Sequence, residues 1–217
     1  MTTRNIDISI GEYYHLYSRG VDRRAIFIDD NDRDRFVRLL YLCNGLKPVV
    51  YKTVQAFPLE EIDIGESLVA IGAYCLMPNH FHLLIKETTD GGVVKFMSKL
   101  LTAYSSYFNR KHERTGALFG SEFKASHIDN DEYLKYIFSY IHLNPAKLLD
   151  PEWRVHGGDK TGLYDFTSKY NYSSFYEYSG KERESSVILN RPEFPEYFNT
   201  PLSFRDFVWE WLKFNDE

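Results

Sequence analysis

The chain has 217 residues, with 26 Lys+Arg against 31 Asp+Glu, a net charge of −5 at neutral pH, 43% hydrophobic residues and 17% aromatic ones. That length supports one substantial core with an appendage, and the apolar share is ordinary for a soluble globular protein. No apolar run reaches the ~20 residues of a membrane helix, no basic-then-apolar signal segment opens the chain, and Cys43 and Cys75 make neither a disulfide framework nor a thiolate zinc site, so a cytoplasmic protein with no membrane partner is expected.

Residues 1–10 form an unpatterned lead, and residues 13–18 read as a strand stopped by Arg19-Gly20. Asp29 to Asn31 offer a helix cap, and Phe36, Leu39 and Leu40 recur at helical spacing within residues 33–42. Residues 49–57 are a β-rich run, residues 58–66 an acidic loop, and residues 68–77 an apolar strand that turns at Pro78-Asn79 into a partner strand at 80–87. Residues 93–110 read as a long amphipathic helix, with Val93, Phe96, Met97, Leu100, Leu101, Tyr104 and Phe108 on one face. Residues 117–127 are a loop with a short strand. The next helix is capped near Asp129 to Asp131, carries Tyr133, Tyr136, Ile137, Tyr140 and Ile141 at spacings of three and four, and ends near Asn144 because Pro145 follows. From Ala146 the chain is loop-rich, through Trp153, Gly157-Gly158 and Tyr170 to Phe175, until a short terminal helix over residues 204–214. The order strand, helix, two strands, helix, strand, helix predicts an α+β fold, a ferredoxin-like or RRM-like antiparallel sheet with helices on its faces. A core unit is expected over residues 1–149, with 150–217 as a C-terminal extension.

Two histidines stand out in Met77-Pro78-Asn79-His80-Phe81-His82-Leu83-Leu84-Ile85. Residues two apart in a strand share a face, so His80 and His82 project together while Phe81 and Leu83 face a core. Such a pair holds a metal ion or is simply two strand histidines. Tyr140 and Asn144, four apart on one helical face, offer a phenol nucleophile and an amide ligand. Equally, the tyrosines form a core stripe and Asn144 caps a helix end.

The net charge argues weakly against a nucleic-acid partner, but most of the acidic excess falls after Pro145. Arginines cluster at Arg19, Arg23, Arg24, Arg33, Arg35 and Arg38, and a second basic group comprises Lys95, Lys99, Arg110, Lys111 and Arg114. Local patches rather than total charge bind phosphates, although solvated helix faces give the same pattern.

The chain resembles the single-tyrosine HUH transposases, and especially the REP-associated tyrosine transposases. Three segments carry the likeness in order: Tyr14-His15-Leu16-Tyr17-Ser18-Arg19-Gly20 with the Arg-rich helix after it, Tyr74 to Leu84 around His80-Phe81-His82, and Tyr140-Ile141-His142-Leu143-Asn144-Pro145. The resemblance implies cleavage and rejoining of single-stranded, hairpin-containing DNA by an HUH endonuclease fold. His80, His82 and Asn144 would bind Mg²⁺ or Mn²⁺, and Tyr140 would attack the scissile phosphate to give a 5′-phosphotyrosine link. Oxygen-preferring cations suit a site completed by amide and phosphate oxygens. Arg19, Arg23, Arg24, Lys95 and Lys99 are candidate DNA contacts. Tyr104 and Tyr107 do not match the tyrosine motif, and His15 and His142 read as structural. The protein would be a monomer or homodimer, with Tyr140 serving its own histidines or a partner's.

One departure concerns Phe119-Gly120-Ser121-Glu122-Phe123, where the family pattern has arginine at the position of Glu122; a carboxylate there would repel phosphate. Two other readings compete with a strand transferase. A non-catalytic single-stranded nucleic-acid-binding module could stack bases on the same sheet, and a small metal-dependent hydrolase would need more carboxylate ligands than the lone Glu87 near the histidine strand.

Overall fold

A computed structural model of the chain describes residues 7–120, 122–156 and 158–213; the expectations that touched residues 1–6, Ser121, Gly157 and Phe214 lie outside them. Four strands, β1 (Tyr13–Arg19), β2 (Val69–Met77), β3 (His80–Glu87) and β4 (Lys124–Ile128), pair antiparallel in the order β2-β3-β1-β4. Helix α1 (Asp30–Leu42) and the short α2 (Tyr51–Val54) lie between β1 and β2, α3 (Gly92–Lys111) lies between β3 and β4, and α4 (Asp131–Leu143) follows β4. This is the ferredoxin-like α+β arrangement that the order of elements predicts.

Strand alternation divides the molecule into two cores. Leu16, Phe81, Leu83 and Ile85 face one way and bury with Phe36 and Leu40 of α1 and Phe96, Leu100 and Tyr104 of α3. Ala73, Cys75, Met77 and Leu84 face the other way and bury with Ile137, Phe138 and Ile141 of α4. His80 and His82 share that second face, so the helix carrying Tyr140 packs over the side of the sheet on which they project.

The N-terminal caps follow their sequence signals: the Asp29 side chain accepts the Asp32 N–H at 3.0 Å, and the Asn130 side chain accepts the Tyr133 N–H at 2.8 Å. The C-terminus of α4 is built differently from the proline argument. Asn144 keeps helical dihedrals (φ −54°, ψ −39°) in front of Pro145. Its side-chain Nδ2, not its backbone N–H, donates to the Tyr140 carbonyl at 2.8 Å, while the backbone N–H turns to Ile141.

The β-rich run at 49–57 is not a strand. It forms the single turn of α2, with Tyr51 and Val54 against the first core and the Arg35 guanidinium 3.3 Å from the Tyr51 ring centroid. Val, Thr and Tyr favour strands only where a pleated neighbour exists, and this run pairs with none.

The region after Pro145 is more helical than its composition suggests: α5 (Ala146–Leu149), α6 (Trp153–His156), α7 (Lys160–Ser168), α8 (Phe175–Tyr178) and α9 (Pro201–Lys213). It is also tightly docked. Trp153, Leu163, Phe175, Phe204, Val208 and Leu212 are buried in the second core. The outer edge of β2 is covered by the segment before α8: Leu76 N–H donates to Tyr172 O at 2.8 Å and Ser174 N–H to Tyr74 O at 3.0 Å. That closes an edge that would otherwise present unpaired backbone groups. At Gly72, where the β2–β3 register shifts, an added Cβ would lie 2.7 Å from the Phe194 ring. Glycine there lets the C-terminal segment lie close against the sheet.

Candidate active site

The histidine strand begins at a tight turn clamped by the loop after β1. Gly20 N–H donates to Asn79 O at 2.9 Å, Ile26 N–H to Pro78 O at 2.9 Å, and the Asn79 Nδ2 to Arg23 O at 3.1 Å. Because Nδ2 is spent on a carbonyl, the Asn79 Oδ1 must accept, and it lies 2.6 Å from His80 Nδ1. His80 Nδ1 therefore carries the proton, and its Nε2 is left with a lone pair.

His82 lies 4% exposed beside it, with the two ring centroids 4.8 Å apart. Its Nδ1 meets His15 Nε2, from β1, at 2.9 Å, and its Nε2 is sealed from solvent with no hydrogen-bond partner. Burial, with smaller contributions from Arg19 and Lys147, lowers the His80 pKa to about 4. Burial first, then the neighbouring His15 and His80, holds His82 well below the usual imidazole range. Both rings are neutral at pH 7, the form that ligates metals.

Tyr140 approaches this pair from α4. Its ring centroid is 5.3 Å from that of His82 and 5.6 Å from that of His15, in edge-on contacts within one chain. Burial, and next Tyr136, raises the Tyr140 pKa; a hydrogen bond with the Asn144 side chain and the charge of Arg154 oppose that rise. Asn144 is 2% exposed, and since its Nδ2 serves the Tyr140 carbonyl, its Oδ1 is the atom free to act as a ligand. His80, His82 and Asn144 thus present two imidazole lone pairs and one amide oxygen, a donor set fit for a divalent cation completed by water or phosphate oxygens. Among the described residues no group of three or more His, Cys, Asp or Glu side chains could hold a metal, so the amide is essential to such a site.

Positive charge gathers around the tyrosine. Lys147 Nζ of α5 lies 5.2 Å from the Tyr140 ring centroid and the Arg154 guanidinium of α6 lies 5.9 Å from it. Burial, then repulsion from Arg154 and Arg19, lowers the Lys147 pKa. Sequence reasoning missed both Lys147 and Arg154. Lys147 stands seven residues after Tyr140, about two helical turns along the sequence, which is the one clue available in advance.

The expected DNA contacts divide. Arg19 ends β1 directly opposite His80 in the register, and Arg23 and Arg24 lie in the loop clamping the Pro78-Asn79 turn. Lys95 and Lys99 do not belong with them. They lie on α3, over the opposite face of the sheet, where Lys99 Nζ donates to the Gly45 carbonyl. Tyr104 and Tyr107 occupy that layer too, donating to Ile26 O and Asp32 Oδ1. His142 is structural as expected: fully buried, it bonds Phe138 O and Ser174 Oγ, each at 2.8 Å. His15 is more than a packing residue, because it touches His82.

Residues 59–144 match the family model described as "Transposase IS200 like". Over those residues the chain is similar to the IS200-like transposases. The fold is shared with a solved REP-associated tyrosine transposase bound to a REP hairpin, at TM-score 0.50 and 14% identity over 85% of this chain and 90% of that one. A search of curated proteins finds no match. Among the described residues no helix is long and apolar enough to cross a membrane.

Proposed function

We propose that this protein is a transposase that cleaves and rejoins single-stranded DNA through Tyr140, with His80, His82 and Asn144 holding Mg²⁺ or Mn²⁺. The observation that carries the reading is the pairing of the sealed, unpartnered His82 Nε2 with the Tyr140 ring 5.3 Å away by centroids. A buried nitrogen without a partner costs free energy unless something occupies it. A divalent cation, when bound, polarises a phosphate oxygen and lowers the charge that builds up in the transition state.

The chain's own groups do the rest. Tyr140 Oη attacks the scissile phosphorus: a phosphorus–Oη bond forms, the phosphorus–O3′ bond breaks, the phenol proton passes to solvent, and the leaving 3′ oxygen takes up a proton. The product is a 5′-phosphotyrosine and a free 3′-hydroxyl, and attack by a 3′-hydroxyl reverses the step without a nucleotide cofactor. Burial alone makes Tyr140 a poorer acid, so the phenolate depends on nearby positive charge. Lys147 and Arg154 supply it, and with Arg19 they draw the phosphodiester toward the phenol. The catalytic unit is 1–149, and the extension 150–217 contributes Arg154 to it. The DNA is hairpin-containing, by analogy with the hairpin bound in the structural neighbour.

Incubation with a single-stranded DNA hairpin library and Mn²⁺ tests this reading. A covalent adduct that survives denaturing electrophoresis, is lost in Tyr140→Phe and is kept in Tyr136→Phe is the expected result. An undiminished adduct in Tyr140→Phe refutes the assignment; binding without any adduct favours the non-catalytic module.

A further inference from the structure

We propose that His15 is a positioning residue that holds His82 as the Nδ1–H tautomer, so that the His82 Nε2 lone pair is directed to a divalent cation. The proposal rests on His82 being a ligand, as argued above, and adds a residue on a different strand that sets its chemistry.

The geometry comes from strand pairing. In the β1–β3 register Tyr17 faces His82 and His15 faces Leu84, which makes His15 the diagonal neighbour of His82 on the same sheet face. The nitrogens are 2.9 Å apart, while the ring centroids are 5.0 Å apart and the planes are 24° from parallel. Such near-coplanar rings meet edge to edge, which aligns an N–H of one with the in-plane lone pair of the other. Only one proton can lie between the two nitrogens.

If it belongs to His15, His82 must carry its own proton on Nε2. An N–H would then be buried without an acceptor, since that atom has no partner. If it belongs to His82, the Nε2 lone pair is the buried feature, ready for a cation. Asn79 forces the matching state on His80, where a side-chain oxygen accepts from Nδ1 at 2.6 Å. The two strand histidines are thus each held through Nδ1 by a different neighbour, a pattern that orients metal-binding imidazoles and raises their basicity. The tight fit also limits rotation: His15 is 7% exposed and sits between the rings of Tyr17 and Tyr140, with centroids 5.4 and 5.6 Å away.

The test uses the full chain labelled with ¹⁵N-histidine. Long-range ¹H–¹⁵N correlations at pH 7, with the His82 signals assigned from a His82→Gln spectrum, report the tautomer without any metal. The Nδ1–H form is expected in the wild type, and an Nε2–H form overturns the proposal. His15→Gln keeps an acceptor near the Nε2 position, and His15→Leu removes it; thermal unfolding checks that both are folded. By isothermal titration with Mn²⁺ alone, H15L is expected to bind about 10- to 100-fold more weakly and H15Q within about threefold of wild type. Unchanged Mn²⁺ affinity in H15L overturns the His15 assignment alone. Absence of Mn²⁺ binding in the wild type overturns the cation half of the proposal together with the metal reading of the site. Should H15L not fold, H15Q that loses both the tautomer and Mn²⁺ affinity overturns the acceptor role.

Discussion

Ser174→Ala is expected to weaken the attachment of the tyrosine helix through one oxygen atom. Ser174 Oγ is buried where three parts of the molecule meet. It accepts the Tyr74 N–H of β2 at 3.0 Å and lies 2.8 Å from His142 Nε2 of α4. His142 Nδ1 faces the Phe138 carbonyl at 2.8 Å and must be the donor there, so Nε2 accepts and the serine hydroxyl donates to it. Alanine leaves two buried polar groups without partners, His142 Nε2 and Tyr74 N–H. At about 1–3 kcal/mol for each orphaned group, the expected loss is about 2–6 kcal/mol. For a chain of this size that lowers Tm by about 4–24 °C. Urea unfolding, followed by far-UV circular dichroism, measures it. Ser179→Ala is the control: Ser179 Oγ donates at 2.9 Å to Phe175 O, which also accepts the Ser179 N–H at 3.0 Å, so under about 1 kcal/mol is expected. A Ser174→Ala loss below about 0.5 kcal/mol, the range of ordinary surface changes, would refute the hydrogen-bond reasoning.

His142 itself predicts an acid dependence. Burial lowers its pKa to about 3; since the folded value lies below the unfolded one, the unfolded chain binds the extra proton between about pH 6.5 and 3. The stability is fully present above that window and falls as pH drops through it, by at most about 1.4 kcal/mol per pH unit for this group. The slope of unfolding free energy against pH should shrink by up to that amount in His142→Gln. Lys147→Met removes the ammonium nearest the Tyr140 ring, and the single-turnover rate of adduct formation should fall about 10- to 100-fold; an unchanged rate would remove Lys147 from the chemistry. Glu122→Gln should tighten binding of a DNA hairpin about 3- to 10-fold at low ionic strength, with the difference fading as salt rises. Fluorescence anisotropy across a salt series reads both parts of that expectation.

Much of the frame was legible along the chain. The strand at 80–87 was expected with the bounds it has, and α3 and α4 within about two residues, because period-two and three-to-four spacings record which face is buried. The same alternation placed His80 and His82 together. What the spacing could not distinguish was function from packing: the stripe of Tyr133, Tyr136 and Tyr140 reads as core whether or not one phenol reaches a histidine. Composition misled where structure depends on distant partners. Residues 49–57 have strand chemistry without a strand beside them, and the segment after Pro145 scatters its apolar residues because they complete a core begun by β2 and α4.

Lys95 and Lys99 show the limit from the other side. They belong to a basic cluster in sequence, yet α3 lies on the sheet face opposite the histidines, and no property of the helix alone decides which face it covers. His15 shows it most sharply. Its spacing puts it on the same side of β1 as Tyr17, but its meeting with His82 exists only once β1 and β3 pair in one register. Sequence by itself determined which side chains share a face, since that follows from backbone geometry within a few residues. Tertiary structure alone decided which faces meet: Tyr140 against His82, Lys147 and Arg154 around the phenol, and His15 on the one nitrogen that sets the tautomer of its neighbour. The Tyr140–His82 and His15–His82 contacts join residues far apart in the chain, where no local periodicity operates.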